Sequence, residues 1–200
     1  RVYRTTGMGE CQLNEAIRDI FEKSQNPSVA VTVHPEGVDV RLTARAENDE
    51  KADVLLEALG KTVLARLPNH VYGMNEDGLE VIVGRLLKMR NISLALAESC
   101  TGGGIASRVT AVPGSSDYFR RGYVVYSNAA KSDLLQVEPT VLASRGAVSV
   151  EVAEQLARNC RKNAGVNLAL SVTGIAGPAG GTPSKPVGLV FMGLADEAGV

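Results

Sequence analysis

Histidine and cysteine are scarce in this sequence of 200 residues. Its two histidines, His34 and His70, both precede residue 75, so a Ser-His-Asp or Cys-His arrangement is excluded from residues 75–200. The three cysteines are an odd number without the spacing of metal ligands, which supports neither a disulfide framework nor a structural zinc site. We therefore expect reduced thiols, no metal and no cofactor.

Long apolar runs and an excess of charge are lacking as well. With 21 Lys or Arg against 22 Asp or Glu, the net charge of -1 creates no field that would attract nucleic acid or an anionic membrane. No apolar run approaches the length of a bilayer span, and the sequence does not open on a basic and apolar signal segment. The expectation is a cytoplasmic protein without nucleic-acid or membrane partners.

Residues 1–74 have the pattern of a small α+β domain in the order βαββαβ. Helices are predicted after Gly9 and Asn48, and strands over 1–6, 28–33, 38–44 and 70–72. The middle two strands should pair antiparallel across a hairpin turn at 34–37. Nine Lys or Arg are present against eleven Asp or Glu, and there is no G-x-x-G clamp. A linker or oligomerisation role is therefore favoured over nucleic-acid binding.

Residues 75–200 follow a polar, turn-rich boundary and alternate between strands and helices, which predicts a three-layer α/β/α domain. The predicted strands cover 93–97, 122–128, 168–172 and 188–194. One amphipathic helix has Ser149 as its N-cap and ends at Gly165, with Cys160 as a small core residue on its apolar face.

Two of these strands run directly into glycine-rich polar loops, a first loop at residues 98–104 and a second loop at residues 173–183. Ligands of α/β sheets bind at the carboxyl ends of the strands. Glycines also let a ligand approach the backbone closely. The two loops should therefore form one pocket, and the alternative for the first loop is a tight turn with incidental Ser and Thr caps.

The base for a nucleophile in this pocket has to be lysine, because histidine is absent and a neutral amine serves where burial lowers its pKa. The lysines of residues 75–200 are Lys88, Lys131, Lys162 and Lys185. Lys131 follows a predicted strand that ends in polar groups and has the best placement. Lys88 indicates a solvated helix face, and Lys162 a charge at a helix C-terminus. The candidate nucleophiles are Ser99 and Cys100.

Several separated motifs resemble a known family. They are Ala97-Glu98-Ser99-Cys100-Thr101-Gly102-Gly103, Tyr126-Ser127-Asn128-Ala129-Ala130-Lys131, and Val172-Thr173-Gly174-Ile175-Ala176-Gly177-Pro178 with Gly180-Gly181-Thr182-Pro183 and Lys185-Pro186-Val187-Gly188. Over most of residues 77–196 the sequence resembles the C-terminal domain of the CinA family. That domain is a nicotinamide-nucleotide amidase, which hydrolyses nicotinamide mononucleotide (NMN) to nicotinic acid mononucleotide and ammonia. Residues 1–74 resemble the KH-like middle domain of the same family.

The resemblance implies roles for the polar residues of the pocket. Ser99 would be the nucleophile and Lys131 its base, with Tyr126 and Thr173 as proton relays or positioning groups. Cys100 is the rival nucleophile, but it must point differently from Ser99, and nothing obvious except Lys131 would activate it. Glu98 either orients Lys131 or acts as a charge at the helix N-terminus, and the sequence leaves these two interpretations open.

Substrate contacts are expected from both loops. The expected residues are Glu98, Thr101, Gly102 and Gly103 in the first loop, and Gly177, Gly180, Gly181 and Thr182 in the second loop. Because backbone N–H groups next to Ser99 are needed for an oxyanion hole, the phosphate or ribose is assigned to the second loop. The alternative to an amidase is a non-catalytic nucleotide-binding or interaction module.

Further expectations concern the ends of the sequence and its partners. Arg1 opens directly on a strand pattern, which indicates a fragment of a longer protein. Members of the family continue beyond the last strand into a helix that brings an arginine to the substrate, so a molecule ending at Val200 is expected to have an incomplete site. NMN is the expected small-molecule partner, and a homodimer is the expected assembly.

Overall fold

The computed structural model describes residues 1–34 and 37–200. Packing divides the chain into two compact units, Arg1–Ile82 and Val83–Val200, each with its own four-stranded sheet. The division lies within a helix, Leu79–Met89, whereas the sequence pattern puts the boundary before that helix, between residues 74 and 75. The boundary at 74 and 75 stays a prediction.

The first unit has the predicted βαββαβ order. Its elements are β1 (Val2–Thr5), α1 (Glu10–Lys23), β2 (Ser28–His34), β3 (Gly37–Thr43), α2 (Asp49–Arg66) and β4 (Val71–Met74). The strands form an antiparallel sheet in the order β2-β3-β1-β4. The predicted antiparallel pairing of β2 with β3 is confirmed, whereas Pro35 and Glu36 of the predicted turn lie outside the described residues.

The core of the first unit includes apolar residues of its sheet and of both helices. The buried residues of α1 recur at helical spacing: Leu13, Ile17 and Ile20. They pack in one cluster with Val40 of β3 and Val63 of α2. Asn48 begins α2 by accepting a hydrogen bond from Lys51 N at 2.9 Å, which satisfies one free N–H group of the helix end. An apolar core and a capped helix therefore account for the fold of this unit.

From residue 79 onward the chain alternates between helices and strands. The elements are α3 (Leu79–Met89), β5 (Leu94–Glu98), α4 (Gly104–Thr110), β6 (Phe119–Val124), α5 (Asn128–Leu135), α6 (Pro139–Arg145), α7 (Val150–Ala164), β7 (Leu168–Gly174) and β8 (Val190–Ala195). The sheet order is β6-β5-β7-β8, in which β5 runs parallel to β6 and β7, while β8 is antiparallel to β7. Among the described residues, no helix has the length and apolar character needed to cross a membrane.

Helices cover both faces of this second sheet, as the predicted three-layer α/β/α arrangement requires. Successive side chains of a strand point to opposite faces. Ala95 and Ala97 of β5 pack with residues of α5, α6 and α7, whereas Leu94 and Leu96 pack with residues of α3 and α4. Every residue of β5 is buried, so this strand lies at the centre of the unit and carries the first loop at its end.

The strand predicted over residues 122–128 is wrong in its position. β6 covers Phe119–Val124 instead, and Ser127 begins α5 by accepting a hydrogen bond from Ala130 N at 3.1 Å. The β-branched and aromatic residues in this segment favour a strand. However, the partner strand β5 has already ended at this point, so the chain has nothing to pair with and a capped helix starts. This change places Lys131 on a helix.

The predicted ends of α7 and the buried position of Cys160 are confirmed. Ser149 Oγ accepts a hydrogen bond from Val152 N at 3.4 Å, and Gly165 ends the helix in the left-handed conformation with a φ of 61°. Cys160 is fully buried, and burial raises the pKa of its thiol to about 12. Because the reactive form of cysteine is the thiolate, Cys160 is a core residue and not a nucleophile.

Candidate functional site

The candidate site lies at the carboxyl edge of the parallel strands, where both glycine-rich loops begin. Ser99 comes directly after β5, and its backbone N–H donates to Val172 O of β7 at 2.9 Å. On the other side of β5, Val125 N donates to Glu98 O at 2.8 Å. Both edges of the peptide unit between Glu98 and Ser99 are therefore held, one by β7 and the other by the residue that follows β6.

Lys131 reaches Ser99 from helix α5. The lysine is 1% exposed, and its Nζ lies 3.0 Å from Ser99 Oγ, 2.8 Å from Val125 O and 3.1 Å from Tyr126 O. Ser99 is itself only 7% exposed. The structure thus joins the expected nucleophile and the expected base in a buried hydrogen bond.

The surroundings of Lys131 act on its pKa in two opposite ways. Burial lowers the pKa of Lys131 because the ammonium group loses hydration, while the neighbouring Cys100 acts in the opposite direction. The carbonyl oxygens of Val125 and Tyr126 can only accept hydrogen bonds. A neutral amine has two N–H groups for these two carbonyls and keeps one lone pair for the Ser99 hydroxyl. The arrangement therefore suits a base for Ser99.

The hydroxyl groups of Tyr126 and Thr173 make no contact with this pair among the described residues. Tyr126 is 72% exposed, and its carbonyl oxygen, not its hydroxyl, contacts Lys131. Thr173 is 1% exposed, and its Oγ1 donates to Ala147 O at 2.9 Å, which ties β7 to the segment before α7. Of the two roles expected for these residues, the geometry favours positioning over proton relay.

Glu98 uses its carboxylate on the backbone of the first loop and of α4. Its Oε2 accepts hydrogen bonds from Gly103 N and Ile105 N, both at 3.0 Å, and its Oε1 accepts one from Ala106 N at 2.8 Å. The residue is 1% exposed. Of the two interpretations that the sequence leaves open, the geometry supports the charge at the helix N-terminus. The expected contact of Glu98 with substrate has no support in this conformation.

The first loop leaves few backbone N–H groups for a ligand. Its glycine N–H groups donate within the loop: Gly102 N to Ser99 O at 3.1 Å, Gly103 N to Glu98 Oε2 at 3.0 Å and Gly104 N to Thr101 O at 2.9 Å. Gly102 and Gly103 supply left-handed backbone instead, with φ of 60° and 99°. Among the described residues of this loop, the N–H groups of Cys100 and Thr101 have no acceptor. This conformation therefore gives no support for substrate contacts through the N–H groups of Gly102 and Gly103, and the expected contacts of these two residues stay a prediction.

The second loop differs, because the N–H groups of Gly177, Gly180 and Gly181 have no acceptor within the described part of the chain. Thr182 forms a turn in which its N–H donates to Lys185 O at 2.8 Å, and its side chain is exposed. A Cβ atom on Gly181 would lie 2.8 Å from Val187 N, so only glycine fits there. The three glycines expected to contact a ligand thus keep free N–H donors among the described residues, whereas the Thr182 hydroxyl already accepts a hydrogen bond from Lys185 N at 3.0 Å.

Hydrogen bonds hold the second loop at its base. Ile175 N donates to Leu189 O at 2.9 Å, and Gly188 N donates to Ile175 O at 2.8 Å. Lys185, one of the four candidate bases, donates from Nζ to Arg145 O at the end of α6, at 2.5 Å. The loop is therefore anchored while its tip keeps free donors.

The two other lysines of the second unit lie away from the Ser99 site. Lys88 pairs with Asp117, with 2.5 Å between Nζ and Oδ2, and this hydrogen bond raises the pKa of the lysine. Both residues line a cavity of ≈ 540 Å³ with Ser93 and Asn167, which precede β5 and β7 at the opposite edge of the sheet. Lys162 lies in the last turn of α7, as predicted. No group of three or more His, Cys, Asp or Glu among the described residues is arranged to hold a metal ion.

Together these features define an α/β/α domain with a buried Ser-Lys pair at the carboxyl edge of its parallel strands, preceded by a small antiparallel α+β domain. Residues 76–200 match the family model described as the CinA C-terminal domain. Residues 1–73 match the model described as the damage-inducible protein CinA KH domain. The chain therefore belongs to the CinA family.

Curated relatives support this membership along nearly the whole chain. The putative competence-damage inducible protein of Moorella thermoacetica is 49% identical over 194 residues, which are 97% of this chain and 47% of that protein. The CinA-like protein of Kosmotoga olearia is 44% identical over 194 residues, with the same two shares, 97% and 47%. The chain thus spans about half the length of the curated relatives that it matches.

Solved structures share the fold. The competence/damage inducible protein CihA from Agrobacterium tumefaciens is 39% identical with a TM-score of 0.58, and the match covers 64% of this chain and 80% of that one. A CinA superfamily protein from Klebsiella pneumoniae is 34% identical with a TM-score of 0.57, covering 59% and 74%. These names describe competence and damage induction and state no reaction.

Proposed function

We propose that this chain carries a nicotinamide-nucleotide amidase, which hydrolyses NMN to nicotinic acid mononucleotide and ammonia. The main support is the buried hydrogen bond of 3.0 Å between Lys131 Nζ and Ser99 Oγ. It joins a hydroxyl group to an amine whose pKa is lowered by burial. The choice of NMN as substrate rests on membership of the CinA family. Residues 76–200 match the C-terminal domain of that family, and the resemblance to this domain implies the amidase activity.

The proposed reaction proceeds through an acyl-enzyme. Neutral Lys131 takes the Ser99 proton as the hydroxyl oxygen attacks the carboxamide carbon of NMN. The protonated lysine then gives this proton to the leaving nitrogen, which departs as ammonia. In the second half, Lys131 takes a proton from water, the hydroxide attacks the ester, and nicotinic acid mononucleotide leaves as Ser99 regains its proton.

The developing oxyanion in this reaction needs hydrogen-bond donors beside Ser99. We assign this role to the N–H groups of Cys100 and Thr101, because they have no acceptor among the described residues. The N–H group of Ser99 already donates to β7, and those of the three glycines already donate within the turn. This assignment sharpens the expected oxyanion site from the whole loop to two backbone groups.

The phosphate or ribose of NMN is assigned to the second loop. The N–H groups of Gly177, Gly180 and Gly181 have no acceptor among the described residues, and successive backbone N–H groups can form a concave site for an anion. In the first loop, by contrast, Glu98 already occupies the N–H groups at the start of α4. A nucleotide would then place its carboxamide near Ser99 and its charged end near Gly180.

Ammonia release from NMN tests the proposed function directly. The assay should compare this chain with one of its longer curated relatives. Each protein is measured beside a variant in which the proposed nucleophile, Ser99 in this chain, is replaced by alanine. The proposal expects ammonia and nicotinic acid mononucleotide in equal amounts, and none from Ser99→Ala. Binding of NMN without turnover in both forms would instead favour the alternative, a non-catalytic nucleotide-binding module.

A further inference from the structure

Glu98 is a buried carboxylate that the proposed reaction does not use. Three backbone N–H groups donate to its two oxygens, and no cationic side chain contacts it among the described residues. The nearby amine of Lys131 has its own three partners, none of which is Glu98. A buried carboxylate needs donors that replace its lost hydration, and here the positive end of α4 supplies them.

Helix α4 depends on this carboxylate because it has no cap of its own. Its N-cap residue is Gly103, which has no side chain and adopts a φ of 99° that disfavours most other residues. The first N–H groups of a helix have no partner within the helix. Glu98 supplies acceptors from five residues earlier in the chain.

The same hydrogen bonds decide which N–H groups of the first loop stay free. The backbone of Glu98 belongs to β5 while its side chain binds Gly103 and α4, so this residue holds both ends of the turn that contains Ser99. With the remaining glycine N–H groups bonded inside the turn, those of Cys100 and Thr101 are left next to the nucleophile. A tetrahedral intermediate on Ser99 needs donors of this kind.

We infer that Glu98 is a positioning residue for the Ser99 nucleophile, an inference that rests on the proposed function. Its carboxylate fixes the turn in which Ser99 meets Lys131 and in which the N–H groups of Cys100 and Thr101 stay available to the oxyanion. It also accepts hydrogen bonds from the first N–H groups of α4, so these groups are not available to a substrate phosphate. Glu98 itself touches neither substrate nor the reacting atoms.

Steady-state kinetics of Glu98→Gln and Glu98→Asp test this role. In Glu98→Gln, the NH₂ group replaces an oxygen that accepts from a backbone N–H, so two donors face each other. In Glu98→Asp, the side chain is one methylene shorter and is expected not to reach the N–H groups of α4. We expect kcat for NMN to fall at least about tenfold in both variants, with KM within about twofold, because the transition state alone loses its donors. A wild-type kcat in Glu98→Asp would show that charge alone matters and would overturn the inference.

Gly103→Ala provides a second variant that leaves the carboxylate in place. A Cβ atom there is strained at a φ of 99°, so the N–H that Glu98 accepts should move. The same selective loss of kcat is expected if the hydrogen bond to Glu98 positions the turn. Unchanged kcat in folded Gly103→Ala would contradict the inference even if both Glu98 variants fail to fold.

Labelling of Ser99 by a fluorophosphonate separates this inference from the choice of substrate. In this reaction Ser99 Oγ forms a bond to phosphorus, the P–F bond breaks, fluoride leaves, and Lys131 takes the hydroxyl proton. Labelling should be at least about tenfold slower in Glu98→Gln, whether or not wild-type protein hydrolyses NMN. Labelling of wild type without NMN hydrolysis would reject only the proposed substrate, and equal labelling rates in both proteins would reject the role of Glu98.

Ser171→Ala is the matched control for the loss of a buried polar group. Ser171 is fully buried, its Oγ donates to Ala153 O at 2.6 Å, and it accepts from Gly193 N at 3.2 Å. Its loss should lower the melting temperature and leave kcat and the labelling rate near wild type. If Ser171→Ala reduced kcat as much as Glu98→Gln, the effect of Glu98 would be general destabilisation and the inference would fall.

Discussion

The two glycine-rich loops leave adjacent parallel strands and have similar compositions, yet they use their backbone N–H groups in opposite ways. In the first loop the glycine N–H groups donate within the turn or to Glu98. In the second loop Gly177, Gly180 and Gly181 have N–H groups without acceptors among the described residues. Every backbone N–H must find a partner in protein, water or ligand. The acceptors of these backbone N–H groups therefore distinguish the first loop, which holds the proposed nucleophile, from the second loop, which can bind an anion.

This comparison divides the proposed reaction between the loops. Changes in the first loop should act mainly on kcat, because Ser99 and the free N–H groups beside it serve bond making and the transition state. Changes in the second loop should act mainly on KM and on the affinity for phosphate, because its donors serve binding alone.

The largest effect is expected from Ser99→Ala, which removes the nucleophile. Hydrolysis of NMN should fall by at least about 10⁴-fold, while the affinity for NMN stays within about threefold. Ammonia release measures the first quantity, and calorimetric titration with NMN measures the second. Loss of binding as well as turnover would mean that the first loop also holds the ground-state substrate.

The next largest effect is expected from Lys131→Arg. Because arginine stays protonated, it cannot take the Ser99 proton, and kcat should fall by roughly 10²–10⁴-fold. In the wild type, activity should be lost as the pH falls through the pKa of Lys131, since the neutral amine is the active form. Burial lowers that pKa, so the acid limb of kcat/KM should lie below the usual range for lysine. A fully active arginine variant would exclude Lys131 as the base.

A smaller effect is expected from Gly180→Ala, which tests the second loop. Its Cβ atom would have room, with Ile175 Cγ2 at 3.8 Å as its nearest neighbour, but it would block close approach of an anion. Affinity for NMN and for inorganic phosphate should both fall about tenfold, or about 1.4 kcal/mol.

Two glycines provide controls for the second loop. Gly188→Ala introduces similar backbone strain at a φ of 89°, but the N–H of Gly188 already donates to Ile175 O, so affinity should be unchanged. Gly102→Ala, in the first loop, should also leave phosphate affinity unchanged. If Gly102→Ala lost phosphate binding while Gly180→Ala kept it, the roles of the two loops would be reversed.

The smallest effect is expected from Cys100→Ala. Its side chain is not the proposed nucleophile, and the N–H group assigned to the oxyanion is kept, so kcat should stay within about threefold of wild type. Without the sulfur that opposes the effect of burial, the acid limb should move slightly to lower pH. Inactive Cys100→Ala together with active Ser99→Ala would make the thiol the nucleophile.

Prediction from sequence worked where the signal is local. The run of apolar residues before Glu98 predicted a buried strand, and all of β5 is buried. Ser149 and Gly165 predicted the ends of α7, because capping depends on the residues at the cap itself. The strand predicted over 122–128 was wrong because its length depends on where the partner strand ends, which is not a local property.

The role of Glu98 shows a second limit of sequence. A carboxylate before a glycine-rich turn is compatible with several partners, and its three N–H donors become visible once the turn is folded. The backbone carbonyls of Val125 and Tyr126, which hold Lys131, could not be predicted at all. Every residue carries such a carbonyl, so the group leaves no signal in the sequence.

The sequence by itself determined which side chains are available for chemistry. With no histidine after residue 74, Ser99 and Lys131 were the best candidates for a nucleophile and a base. Tertiary structure alone decided that these residues meet, because they lie 32 positions apart on a strand end and a helix, with their distance set by strand order and packing. It also decided that Glu98 accepts hydrogen bonds from the first loop, while three glycine N–H groups of the second loop have no acceptor among the described residues. Hydrogen-bond partners are fixed by the folded backbone, and residue types alone do not specify them.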